Sequence, residues 1–221
     1  MSVSETVPAP TRDRILAAAS DVFAQEGFEK ATVRGICAQA QANVAAVNYH
    51  FRDKRELYRM VLQAWQAEAE ARFPLDGGLA APEAPVAERL RGFYRAMLLR
   101  LFRGASDPQA AYGRARVWLG ELIQAGLAQS PESMRNYTTM EAHLRPLVHA
   151  ELGPVEGTRL RDAVDSCLAQ VVIYFLGFVS DPGFFSLALA KDGEIDRVAA
   201  HMTRFALGGL RAMKENGNDD I

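Results

Sequence analysis

The sequence predicts an all-α protein: an N-terminal three-helix helix-turn-helix domain followed by a larger C-terminal helical domain. Three observations carry that expectation. Apolar residues recur at helical spacing along most of the chain, with almost none of the alternation that strands show. Proline and glycine gather between the periodic segments, where they punctuate helices instead of interrupting them. Residues able to cap a helix stand just ahead of several segments.

Taken in order, Thr11 follows Pro10 as the expected cap of a first helix that buries Ile15, Ala18, Ala19, Val22 and Phe23 and stops at Gly27. Thr32 caps a short second helix with Val33, Ile36 and Cys37 inward. Asn43 leads a third from Val44 to His50. Asp53, with Glu56 at capping-box spacing, opens a long helix carrying Leu57, Val61, Leu62, Trp65 and Ala69 and ending before Pro74. The composition of residues 74–85 (PLDGGLAAPEAP) predicts a loop. From Val86 to Phe102 helix spacing runs unbroken, and further helices are expected near 114–128, 133–152, 157–179 and 194–214, with a loop or short helix at 180–193. Residues 1–10 read as a disordered start and 216–221 as a flexible tail.

The chain has 221 residues, 49% hydrophobic and 24% charged, with a net charge of −2, so it is no polyelectrolyte that coats nucleic acid or anionic lipid. Charge is nonetheless unevenly spread. Between Lys30 and Arg59 there are six bases (Lys30, Arg34, Arg52, Lys54, Arg55, Arg59) against two acids (Asp53, Glu56), while the remainder is net acidic. A basic segment in an acidic protein is the electrostatic footprint of a phosphate-binding surface.

Cys37 and Cys167 form no CxxC pair, which excludes a disulfide scaffold or zinc ribbon and fits a reducing cytoplasm. The longest apolar run, 167–179, is broken by Gln170 and shorter than the ~18–20 residues of a membrane span, and the first ten residues do not resemble a signal peptide. The expectation is a cytoplasmic protein with no membrane partner. No GxSxG, GxxxxGK, GxGxxG or HExxH motif is present, and His143 and His149 lie too far apart to share a helix face. An enzyme, a cofactor and a metal are therefore not expected.

From Thr32 the chain reads TVRGICAQAQANVAAVNYHFRDKRELY: a short helix, a tight turn and a second short helix. In a helix-turn-helix the second helix enters the major groove and the first braces it. Together, RILAAASDVFAQEGFEKATVRGICAQA and ANVAAVNYHFRDKRELY resemble the DNA-binding domain of the TetR family of bacterial transcriptional regulators, with a narrower likeness to its CecR-like branch.

The resemblance implies a helix-turn-helix domain at 11–58 and a ligand-binding and dimerisation domain at 59–215. It implies DNA contacts from Thr32, Val33 and Arg34 on the bracing helix. It implies others from Asn43, Val44, Ala45, Ala46, Asn48, Tyr49 and His50 on the recognition helix, and from Lys54 beyond it. Val47 and Phe51 match packing positions. Gln41 stands where the family usually has glycine, so an altered turn is expected there.

The likeness further implies a homodimer that binds a double-stranded DNA operator and is released by a small-molecule effector. Polar and aromatic residues on otherwise apolar helices nominate an effector pocket: Arg100, Tyr112, Arg114, Trp118, Tyr137 and His143. Apolar faces of the last two helices nominate a dimer interface at Val171, Phe175, Val179, Val198, Met202, Phe205 and Gly209, with Gly177 and Gly208 permitting close approach. Two alternatives stay open: an all-α protein-interaction module, and a DNA-binding protein that takes no effector.

Overall fold

The computed structural model describes residues 10–78, 83–105, 107–124, 131–181 and 193–215. Among these residues there are nine helices and no strand: α1 (Thr11–Lys30), α2 (Val33–Ala40), α3 (Val44–Phe51), α4 (Lys54–Arg72), α5 (Val86–Arg103), α6 (Pro108–Gln124), α7 (Pro131–Leu152), α8 (Gly157–Ser180) and α9 (Glu194–Glu215). Two compact units divide the chain, one reaching to Gln66 and the other starting at Ala67. The division falls within α4, later than the boundary expected after residue 58. The first turns of α4 bury Leu57, Val61, Leu62 and Trp65, and the Trp65 indole donates to Ser20 Oγ on α1 at 2.7 Å.

In the N-terminal unit, α1 packs mainly against α2, and both contact α3. Ile15, Phe23, Ile36, Val47, Phe51 and Leu57 are fully buried. Thr11 is the first helical residue of α1 and Pro10 precedes it, so the expected threonine cap is absent. The helix breaks where the sequence placed its stop. Gly27 has φ 77 and ψ 176, a conformation that costs a residue with a Cβ far more than it costs glycine. That break turns Phe28 onto Tyr58, with ring centroids 4.8 Å apart.

In the C-terminal unit, α9 packs chiefly along α5, and α7 along α8. The core is built from Leu90, Phe93, Tyr94 and Leu98 of α5, Leu144 and Val148 of α7, Ala163, Val164 and Cys167 of α8, and Val198, Ala199 and Met202 of α9. Inside it the Tyr94 hydroxyl donates to the Cys167 carbonyl at 3.2 Å and accepts from Gln170 Nε2 at 3.1 Å, satisfying a phenol with no exposed surface. The turn after α4 passes close to α5, and Gly77 (φ 73) has its missing Cβ position only 2.6 Å from Gly92 Cα.

Helix α6 starts earlier than the spacing predicted. Asp107 accepts from the Ala110 amide at 2.9 Å and Pro108 takes the first helical position, where its missing N–H costs nothing. The expected element at 180–193 falls largely outside the described residues, as do the two tails.

Helix α8 is longer than the apolar run read from the sequence. Taken whole, its 24 residues are long and apolar enough to cross a membrane by length and composition. One side of it belongs to the core, through Leu160, Val164, Cys167, Leu168 and Val171, whereas Val172, Ile173 and Leu176 are exposed.

Candidate nucleic-acid interface

Local hydrogen bonds set the geometry of α2, the turn and α3. Thr32 Oγ1 accepts from the Gly35 amide at 3.0 Å, and Asn43 Oδ1 from the Ala45 amide at 3.0 Å. Each satisfies one of the orphan donors at a helix start, an effect of about 1 kcal/mol. Between them, the Ala42 amide reaches the Cys37 carbonyl at 2.9 Å and the Gln41 amide the Ala38 carbonyl at 3.3 Å, which is a Schellman ending.

Gln41 adopts φ 50 and ψ 49, so it takes the left-handed conformation that glycine would take, and the altered turn expected from its side chain does not occur. Arg14 helps to hold it, donating from Nε to the Ala40 carbonyl at 3.3 Å and from its guanidinium to the Gln41 carbonyl at 3.4 Å. Surrounding bonds impose the turn, and the side chain bears a strain of about 1 kcal/mol.

A second left-handed residue closes α3. Arg52 has φ 67 and ψ −56, and the Asp53 amide bonds to the Phe51 carbonyl at 2.8 Å, forming a strained γ-turn. Asp53 then caps α4, accepting from the Glu56 amide at 2.8 Å. The reciprocal half of the expected capping box is missing: the Asp53 amide is already used, and the Glu56 carboxylate instead meets Arg59. That pairing holds the Glu56 carboxyl below its ordinary range.

On α3 the inward positions are Val47 and Phe51, both buried. Val44, Ala45, Asn48, Tyr49 and His50 are exposed, and Ala46 is half-buried. Tyr49 is 84% exposed, which excludes a packing role against α1. On α2, Thr32 and Arg34 are exposed and Val33 is half-buried. Lys54 is half-buried, its ammonium 4.4 Å from the centre of the Phe28 ring and 3.4 Å from the Glu29 carbonyl oxygen. Phe28 and Arg14, which sequence reasoning passed over, thus brace a clamp and a turn. Their signals were an aromatic just past the Gly27 break and an arginine one helix upstream of an unsatisfied helix end. Arg34, Arg52 and Arg55 are exposed in the same unit. Cys37 is buried, which pushes its thiol up and leaves it unreactive.

A short helix, a three-residue turn and a second helix with an outward face of small side chains, set in a basic segment, make a DNA-reading unit. The model of bacterial regulatory proteins, tetR family, matches residues 15–61. Residues 15–61 are thus similar to the DNA-binding domain of TetR-family regulators.

Among curated relatives, the HTH-type transcriptional regulator UidR of Escherichia coli K12 is 34% identical over 79 residues, covering 35% of this chain and 40% of its own. The HTH-type transcriptional repressor NicS of Pseudomonas putida is 40% identical over 81 residues, covering 35% of this chain and 37% of its own. The chain thus matches about two fifths of the length of these relatives. Solved structures extend the likeness of fold across both units. A transcriptional regulator from Rhodococcus sp. RHA1 superposes with a TM-score of 0.61 at 22% identity, covering 90% of this chain and 97% of its own. A TetR-like transcriptional regulator from the same source gives 0.62 at 16% identity, covering 94% and 99%. No match described here carries the narrower CecR-like placement.

Beyond the TetR-like domain, five of the six residues nominated for an effector pocket are held in separate local contacts. Arg100 ion-pairs with Glu70 and donates to the Phe73 carbonyl at 2.7 Å; Arg114 meets Glu68 at 2.7 Å and the Gly104 carbonyl at 2.9 Å. Tyr112 donates to the Val179 carbonyl at 3.3 Å, its ring edge-on to Phe178, while Trp118 is half-buried. On α7, Tyr137 donates to Asp165 at 2.7 Å, which pushes its phenol up to about 12, and His143 Nδ1 lies 2.8 Å from the Thr139 carbonyl oxygen of its own helix.

The nominated dimer interface needs correction. Val171, Val198 and Met202 are buried in the protomer's own core, and Phe175 and Val179 pack beside Phe178. Phe205, Gly208 and Gly209 are exposed, and the outward apolar residues of α8 are Val172, Ile173 and Leu176, which the sequence reading missed. Apolar residues occupy both sides of α8, so spacing alone could not say which side turns inward.

Proposed function

We propose that the protein is a cytoplasmic, one-component transcriptional repressor that binds a palindromic DNA operator as a homodimer and is released by a small-molecule effector. The observation that carries the reading is the exposed face of α3, held by the Asn43 cap and the Gln41 turn and flanked by Arg34, Arg52 and Arg55. Thr32, Val33, Asn43, Val44, Ala45, Ala46, Asn48, Tyr49, His50 and Lys54 supply the remaining contacts.

Dimerisation is supported by the outward side of α8 with Phe205, Gly208 and Gly209 of α9. Exposed apolar groups clustered on long helices mark an interaction surface, and a two-fold axis through them would build a four-helix bundle. The effector reading is supported by Arg100 and Arg114. Each pairs with a carboxylate near the end of α4, so an acidic effector reaching either arginine would compete with Glu70 or Glu68. Because α4 starts in the DNA-reading unit and ends in the other, a shift of 1–3 kcal/mol there would change operator affinity about 5–150-fold. Two-fold symmetry would then space the half-sites by whole helical turns, about 34–36 Å each.

Fluorescence anisotropy with DNA flanking the protein's own gene, against unrelated DNA of equal length at two salt concentrations, tests this. A preference of about 10³-fold or more that survives physiological salt is expected. Binding that shows no preference sinks the regulator reading. In the same assay Lys54→Ala should weaken binding to every sequence and reduce the salt slope by about one. An unchanged slope would leave Lys54 as a brace on Phe28 alone.

A further inference from the structure

We infer that α3 reads A·T base pairs, with Val44 and Ala45 against thymine methyl groups and Asn48 in a two-point contact with adenine. This rests on the DNA-binding reading above and names what that surface recognises.

Val44 and Asn48, and Ala45 and Tyr49, are exposed and spaced one turn apart in pairs, so they share one outward face of α3 that flanks the buried stripe of Val47 and Phe51. The first turn of that face presents only methyl groups. In the major groove the one base substituent that matches a methyl surface is the C5-methyl of thymine. Guanine is read by arginine or lysine and cytosine by a carboxylate, and neither kind of side chain occurs between Val44 and Phe51. The exposed cations Arg34, Arg52 and Arg55 lie on α2 and beyond the end of α3, off the face that α3 presents, and are assigned to phosphates.

The two asparagines of this segment are not equivalent. A two-point contact with adenine N6 and N7 needs both the oxygen and the amide nitrogen of a carboxamide. Asn43 Oδ1 is committed to the Ala45 amide as the helix cap, so Asn43 positions α3. Asn48, exposed one turn beyond Val44, is the reader.

The test starts by selecting operators from a randomised DNA duplex library with the full-length protein. The best duplex is then measured by anisotropy with deoxyuridine replacing thymine, one position at a time. The expected half-site carries adjacent A·T pairs, and each contacted methyl lost weakens binding about threefold, while replacements elsewhere change nothing. Asn48→Ala, which keeps its circular dichroism spectrum, should lose about tenfold discrimination at one adenine and leave the other steps alone. Uridine that binds as tightly as thymine everywhere, a half-site dominated by G·C, or uniform weakening by Asn48→Ala overturns the inference and leaves the regulator reading intact. A library that yields no preferred sequence overturns both.

Discussion

The DNA-reading unit and the larger helical unit turn opposite kinds of surface outward. The first encloses its large side chains, Phe23, Phe51 and Leu57 among them, and α3 shows mostly small or polar groups beside one tyrosine. The second encloses an equally complete core yet leaves Val172, Ile173, Leu176 and Phe205 exposed, with Phe205 at 69%. A major groove accepts a helix of modest girth that can approach base edges closely. Bulky aliphatic and aromatic groups gain little there and gain most against another apolar protein surface.

Charging the outer face of the second unit should produce the largest effect. Ile173→Glu and Phe205→Glu alter residues the protomer's own core does not use, so the fold should persist while dimers separate. An unpaired buried charge costs several kcal/mol, so a shift in the dimer dissociation constant of more than about a hundredfold is expected by light scattering. A mass unchanged by either substitution would show that the two units do not differ in this way.

Two left-handed residues extend the contrast, with opposite signs. At Gly77 any Cβ would meet the backbone of Gly92, so Gly77→Ala should cost about 2–4 kcal/mol in denaturant unfolding of the second unit. At Gln41, Gln41→Gly should stabilise the first unit by about 0.5–1 kcal/mol, because the turn is already left-handed and surrounding bonds hold it. Destabilisation by Gln41→Gly would mean that the glutamine side chain contributes more than its strain removes.

The smallest effect concerns the second unit alone. Tyr137 donates its phenolic proton to Asp165, so folding favours the protonated phenol and its pKa rises to about 12. Because the folded value lies above the unfolded one near 10, the associated stability is complete below about pH 10 and is lost as pH rises towards 12. Alkaline absorbance titration should show several late tyrosines, Tyr94 and Tyr174 raised by burial and Tyr137 by its bond to Asp165, and Asp165→Ala should return one of them towards the ordinary range. A titration unaltered by that substitution would remove the hydrogen bond as the cause.

Much of the reading unit was legible in the sequence because its determinants are local. Thr32, Asn43 and Asp53 each act within three residues, and Gly27 breaks α1 through its own backbone freedom. Gln41 was misread for a complementary reason: its conformation is imposed by carbonyls of α2, which accept from the Gln41 and Ala42 amides, and by Arg14 from another helix, so its own preference did not decide it. The start of α6 was missed although its signal, an aspartate before a proline, is local.

By itself the sequence determined the all-α class, the order of helices, the caps at Thr32, Asn43 and Asp53, the basic segment and the small-residue character of α3, since each depends on neighbours in the chain. Tertiary structure decided which side of α8 is core, and that Arg100 and Arg114 meet carboxylates of α4. Those outcomes depend on what packs against a side chain, and on a helix apolar around most of its circumference, periodicity cannot tell the two sides apart.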